Sequence, residues 1–170
     1  MVLSETKSQI NEILLHLIEE IEIPPSKYED AANRYSSVGE WLHREESSIK
    51  DFTPEIYVQG SFRLGTAIKP ISADGEYDID SVCLLDLSRN AISQAKLKEI
   101  VGKEIKLYAQ KNNFNNPVEE GLRCWTLNYS DNSRFHMDIL PSIPFGEGFI
   151  KLLQENLLSS VWSQHAIAIT

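Results

Sequence analysis

The chain has 170 residues and carries 16 Lys or Arg against 25 Asp or Glu, a formal net charge of −9. With 42% hydrophobic and 24% charged residues, the composition excludes a disordered tail or a fibrous repeat and suits one globular domain. The acidic surplus argues against a protein that grips duplex DNA, which takes clustered Lys and Arg; it is concentrated in residues 1–60, where 12 acidic side chains face 5 basic ones.

A chain of this size buries roughly two thirds of its unfolded surface and needs no disulfide or structural metal to hold together. Cys83 and Cys124 are too few and too far apart to read as a disulfide framework, so both are expected as free thiols. No apolar stretch approaches the roughly 18 residues of a membrane span, and the amino terminus lacks a basic segment followed by an apolar run. The expected setting is cytoplasmic, with no membrane partner.

In chain order, Ile10, Ile13, Leu14, Leu17, Ile18 and Ile21 recur at helical spacing, with Thr6 and Gln9 at capping-box positions and Pro24-Pro25 as a stop. Ser26 and Glu29 repeat the capping-box spacing, and Tyr28, Ala32, Tyr35, Val38 and Leu42 form the stripe of a second helix expected to run into Glu45–Ser48. Both stripes are read as core. From Pro54 the period changes to two: residues 55–59 read as a strand ending at Gly60-Ser61, and Tyr77 through Leu85 as a second strand, buried on both faces at its end. Leu97, Ile100, Val101, Ile105 and Tyr108 mark a helix between Ser93 and Lys111. Two runs, 122–129 and 134–140, flank Ser130-Asp131-Asn132-Ser133 as a hairpin that Pro141 ends, and a further helix is expected near 149–158.

The chemistry lies in the acids. Residues two apart on a strand share a face, so Asp78 and Asp80 project together. Two such carboxylates either take up a proton or hold a cation between them, and all-oxygen ligation suits Mg²⁺ or Mn²⁺. Asp138 interrupts the apolar run Phe135–Leu140, where a carboxylate is costly unless paired or ligated. Upstream, Gly60-Ser61 closes a strand and opens a helical turn, an arrangement that favours an anion. Gly60–Thr66 superficially echoes a P-loop, but the Lys before the Thr is missing, and that reading is rejected. A hydrolase built on Ser61, His136 and Asp138 fails as well, because residues 59–63 form no nucleophile elbow.

Three separated segments, Val58–Pro70 around Gly60-Ser61, Tyr77–Cys83 around Asp78-Ile79-Asp80, and Phe135–Pro144 around Asp138, resemble in wording and order the cGAS/DncV-like nucleotidyltransferases of the polymerase-β-like superfamily. The resemblance implies an α+β fold, a mixed, twisted sheet backed by helices and preceded by an amino-terminal helical pair. It implies that Gly60 and Ser61 hold a donor's phosphates, that Asp78 and Asp80 bind two divalent ions, Mg²⁺ or Mn²⁺, and that Asp138 completes one of them and assists deprotonation of the attacking hydroxyl. Arg63 and Lys69 are further candidates for phosphate contact. The implied activity is the joining of nucleoside triphosphates into a cyclic or linear oligonucleotide messenger with release of pyrophosphate, in bacterial anti-phage signalling, with a regulatory protein as a possible partner.

On the same resemblance, residues 1–170 are read as one catalytic domain, with a helical segment at 1–50 and a core at 54–144. The helical lobe that family members carry past the third aspartate is expected to be missing. Two departures accompany this: a long loop, Ser72–Glu76, before the aspartate pair, and Ser81 where the family is hydrophobic. The competing readings are a minimal transferase that adenylylates a protein or small molecule, and an inactive nucleotide-binding fragment.

Overall fold

A computed structural model describes residues 2–72, 75–130 and 134–144 of the chain. Its elements are helix α1 (Val2–Ile21), helix α2 (Pro25–His43), a 3-10 turn (Lys50–Phe52), strand β1 (Glu55–Val58), helix α3 (Gly60–Leu64), strand β2 (Tyr77–Leu84), helix α4 (Gln94–Lys111) and strands β3 (Glu119–Glu120), β4 (Trp125–Tyr129) and β5 (Phe135–Ser142). The helix expected near 149–158 lies outside the described residues.

Local chemistry accounts for the boundaries, and it corrects two of the expected caps. Pro25 opens α2 with Pro24 as its N-cap and no side-chain cap; proline suits the first helical position, where an N–H has no intrahelical acceptor. Ser26 therefore does not cap α2. α1 already spans Val2, which leaves Thr6 and Gln9 inside the helix. α2 stops at His43, short of Glu45–Ser48. Ser93 is a working cap: its Oγ accepts the Lys96 N–H at 3.2 Å and starts α4.

The five strands form one mixed sheet in the order β1-β2-β5-β4-β3. The central pair, β2 and β5, is parallel; β1 on one side and β4 on the other are antiparallel to their neighbours, and β3 extends β4 antiparallel. The expected hairpin is the β4–β5 pair. β5 runs on through Pro141, which pairs with Cys83, to Ser142. Proline is tolerated there because the β4 ladder has already ended at Ile139, leaving one side of β5 in no need of a donor.

One face of this sheet carries the core. Ile79, Phe135, Met137, Ile139 and Leu127 are fully buried, together with Leu97, Val101 and Ile105 of α4 and Val38 and Leu42 of α2. Gly102 lets α4 approach Trp125 so closely that a Cβ would lie 2.6 Å from the indole Nε1, which itself donates to the Lys98 carbonyl at 2.9 Å. Glu104, 1% exposed, ties α4 to the end of α2. Its carboxylate accepts from Arg44 at 2.7 Å and from the Ser48 N–H and hydroxyl at 2.8 and 2.6 Å. Burial pushes this carboxyl up, but the Ser48 and Arg44 hydrogen bonds outweigh it and hold Glu104 below the usual glutamate range.

α1 departs from expectation. Its stripe is exposed rather than core: Ile10, Ile13, Leu14, Leu17, Ile18 and Ile21 keep 45–60% of their surface. The contacts that secure it lie at its carboxy-terminal end, where the Lys69 N–H donates to the Ile21 carbonyl at 2.8 Å and Glu22 bridges to Ile68. Among the described residues no helix is long and apolar enough to cross a membrane.

Candidate active site

The register of two strands gathers the acids. β2 and β5 set Asp78 beside His136 and Asp80 beside Asp138. Side chains two apart share a strand face, so these four project from the face opposite the buried Ile79, Met137 and Ile139.

β1 delivers the next piece. Past Val58 the Gln59 N–H donates to the Asp80 carbonyl at 2.6 Å, and α3 then begins at Gly60, whose φ of 61° lies in the left-handed region. A Cβ at Gly60 would sit 2.9 Å from the Asp80 Cγ. Backbone conformation and close approach therefore both demand glycine here. Ser61 follows in the first turn of α3, half-buried.

The three aspartates are held differently. Asp78 Oδ1 meets His136 Nε2 at 3.1 Å, and the other ring nitrogen, Nδ1, lies 3.3 Å from Glu76 Oε2. Asp138 is gripped from β4 and the residue before it: Thr126 Oγ1 donates to Oδ1 at 2.5 Å and the Cys124 thiol to Oδ2 at 3.5 Å. Asp80 faces Gly60 without a side-chain hydrogen-bond donor among the described residues. Burial, followed by the negative charges of Asp78 and Asp138, lifts Asp80 above the usual carboxylate range. Burial also lifts Asp78, with His136 opposing the shift and Asp138 reinforcing it. A group whose ionised form is disfavoured in this way gains from a nearby cation.

The donor set fits a hard divalent ion: carboxylate oxygens from adjacent strands, those of Asp80 without a side-chain donor among the described residues, beside a backbone with no Cβ in the way. Among the described residues no three His, Cys, Asp or Glu side chains already form a cage. Each carboxylate nevertheless keeps lone pairs beyond its present hydrogen bonds.

Two further sequence candidates, Arg63 and Lys69, have partners outside the three aspartates. Arg63 is exposed on α3 and acts electrostatically on Tyr57, whose phenol is pushed by burial up to about 12. Lys69 is engaged with α1, its Nζ reaching the Glu19 carbonyl at 3.3 Å. Thr126, Cys124 and Glu76 were not singled out from sequence. A hairpin centred on Asn132 pairs Thr126 with Asp138, as the register does, so the Thr126 contact was within reach of a strand-pairing argument.

Residues 54–141, just over half of the chain, match the family described as cyclic GMP-AMP synthase DncV-like, nucleotidyltransferase domain. The chain belongs to this family. The matched span of the DncV-like domain contains Gly60, Ser61, Asp78, Asp80 and Asp138. The chain is 26% identical over 141 residues to the c-di-GMP synthase of Roseivirga ehrenbergii, a match covering 83% of this chain and 36% of that protein. It is 26% identical over 133 residues to the cyclic dinucleotide synthase CdnG of Bradyrhizobium diazoefficiens, covering 78% of this chain and 30% of the relative. The solved structure of that CdnG in complex with GTP superposes with a TM-score of 0.62 over 75% of this chain and 35% of its own. Escherichia coli DncV in its 3′-deoxy GTP bound form shares the fold, with a TM-score of 0.58 at 15% identity over 75% of this chain and 49% of its own. The chain thus spans about a third of the length of the curated relatives it matches. The fold of these DncV-like proteins is the expected polymerase-β-like core, a mixed sheet backed by helices with the amino-terminal pair in place.

Proposed function

We propose that this chain is the catalytic portion of a metal-dependent nucleotidyltransferase that joins nucleoside triphosphates into a cyclic or linear oligonucleotide messenger. The observation that carries the reading is the pairing of Asp80 with Asp138 across parallel strands, with Asp78 on the same face and Gly60 against Asp80. The similarity to two cyclic dinucleotide synthases supports it, as does a CdnG whose structure holds GTP. Residues 1–170 then form one catalytic domain with its core at 54–144.

Asp78, Asp80 and Asp138 would hold Mg²⁺ or Mn²⁺, as two ions; when bound, the ions neutralise charge on the attacking and leaving oxygens of an in-line displacement. Gly60 and Ser61 receive the donor's phosphates, the glycine by letting them approach the backbone and the serine through its hydroxyl. Asp138 accepts the proton of the attacking 2′- or 3′-hydroxyl as that oxygen bonds to the α-phosphorus. The bond from the α-phosphorus to its bridging oxygen breaks, and pyrophosphate leaves. Anti-phage signalling and a regulatory protein partner belong to the same reading and rest on family resemblance.

The test is incubation with each α-labelled nucleoside triphosphate, singly and in pairs, with Mg²⁺ or Mn²⁺. An oligonucleotide product that Asp78→Ala and Asp80→Ala both abolish supports the proposal. Label transferred to a protein or small-molecule acceptor overturns it in favour of a minimal adenylyltransferase. Absence of any metal-dependent nucleotide binding overturns both.

A further inference from the structure

We propose that Thr126, seconded by Cys124, is a positioning residue that presets the Asp138 carboxylate for its divalent ion; the inference rests on the metal-dependent reading above. Asp138 differs from the other two aspartates in being held at both oxygens, by Thr126 on β4 and by Cys124 just ahead of that strand. Thr126 stands opposite it in the β4–β5 register and donates its hydroxyl to Oδ1 at 2.5 Å, while the Cys124 thiol reaches Oδ2 at 3.5 Å. A third contact fixes the backbone beneath: the buried Ser81 hydroxyl donates to the Asp138 carbonyl at 2.9 Å.

The chemistry of these groups makes the hold directional. Threonine is branched at Cβ and stiff about χ1, so its hydroxyl is aimed by the strand itself. A hydroxyl donating to an ionised carboxylate makes a short, charge-assisted bond, about twice as strong as a neutral one. Two donors on different oxygens oppose rotation of the carboxylate plane, and each oxygen keeps a further lone pair for a cation. Asp78 and Asp80 are left to adjust, one to His136 and the other to no donor among the described residues, while Asp138 is a fixed reference from β5. Partners of this kind, one bond removed from a metal, affect its affinity by about 10- to 100-fold.

The test is Mn²⁺ binding to the full 170-residue chain, followed through the electron paramagnetic resonance signal of the free ion, with no turnover required. Thr126→Val keeps the shape and the branched Cβ but removes the donor; it is expected to weaken Mn²⁺ binding about 10-fold while the chain still melts cooperatively. Thr126→Ser restores the hydroxyl and is expected to bind within about 3-fold of the parent, a rescue that loss of packing alone would not produce. Should the valine variant not melt cooperatively, Thr126→Ala carries the same expectation. Parent-like Mn²⁺ affinity in a folded variant lacking the hydroxyl overturns the positioning role and leaves the metal reading standing. A parent chain that binds no Mn²⁺ overturns the metal reading and this inference with it.

Discussion

Replacing Asp80 by Asn should stabilise the metal-free protein while removing its response to metal. Asp80 lies beside Asp138 across adjacent strands, with Asp78 on the same face. Adjacent strands are about 4.8 Å apart, and two negative charges at that distance repel by roughly 1 kcal/mol in water and roughly 3 kcal/mol at the effective dielectric of a protein surface. The half-exposed position of Asp80 and the freedom of its side chain favour the lower figure, so the expected gain is about 1 kcal/mol, or about 2–4 °C in Tm for a chain of this length. The sign follows from the shift: a carboxyl lifted above its unfolded value weakens the fold once pH rises past the usual carboxylate range, and the amide removes that cost. The assay is thermal unfolding in EDTA and again in excess Mg²⁺ or Mn²⁺. The parent should rise by about 1.4 kcal/mol at tenfold excess of ion over Kd, and Asp80→Asn should not follow it. A variant less stable than the parent in EDTA, or one that gains equally from the ion, would refute the account of this cluster as mutually repelling ligands.

The other predictions concern the backbone beside the site and the staple behind it. Gly60→Ala places a methyl group against the Asp80 carboxylate at a positive φ; the left-handed conformation alone costs about 1–2 kcal/mol, and metal-dependent product formation is expected to fall at least tenfold while far-ultraviolet circular dichroism still reports a folded chain. Glu104→Ala leaves Arg44 and Ser48 without their shared buried acceptor; urea unfolding should show a loss of about 3 kcal/mol. Because the Glu104 carboxyl is held below its ordinary 4.5, its contribution is present in full above that pH and is lost as pH falls through the lowered value. The parent should therefore lose stability below about pH 4.5 more steeply than Glu104→Ala, and parallel acid unfolding curves would contradict this.

The site was more legible than some of the elements around it, for a physical reason. Period-two spacing places Asp78 and Asp80 on one face without knowledge of their neighbours, and the apolar run around Asp138 marks its carboxylate as out of place. The partners of these acids depend on which strands are adjacent and in which register, which no single segment reveals; this is why Thr126, Cys124 and Glu76 emerged only from the fold. Cap spacing misled at α1 and α2, where prolines and helix continuity govern the ends. The α1 stripe carries the periodicity of a buried face and yet is exposed, since periodicity shows that a helix has an apolar side and leaves open what lies against it. The two-residue β3 lies in residues too polar and too few to show a period.

The parallel pairing of β2 with β5 links assembly of the fold to assembly of the chemistry. A slip of one residue along either strand would turn its acids inward and its Ile79, or its Met137 and Ile139, out to water. A sheet misaligned by one residue could not keep this hydrophobic interior and still present the three aspartates together. The register that buries the core is also the one that sets the three carboxylates on a common face, so a substitution that disturbs the packing of Ile79, Met137 or Ile139 also disturbs their placement.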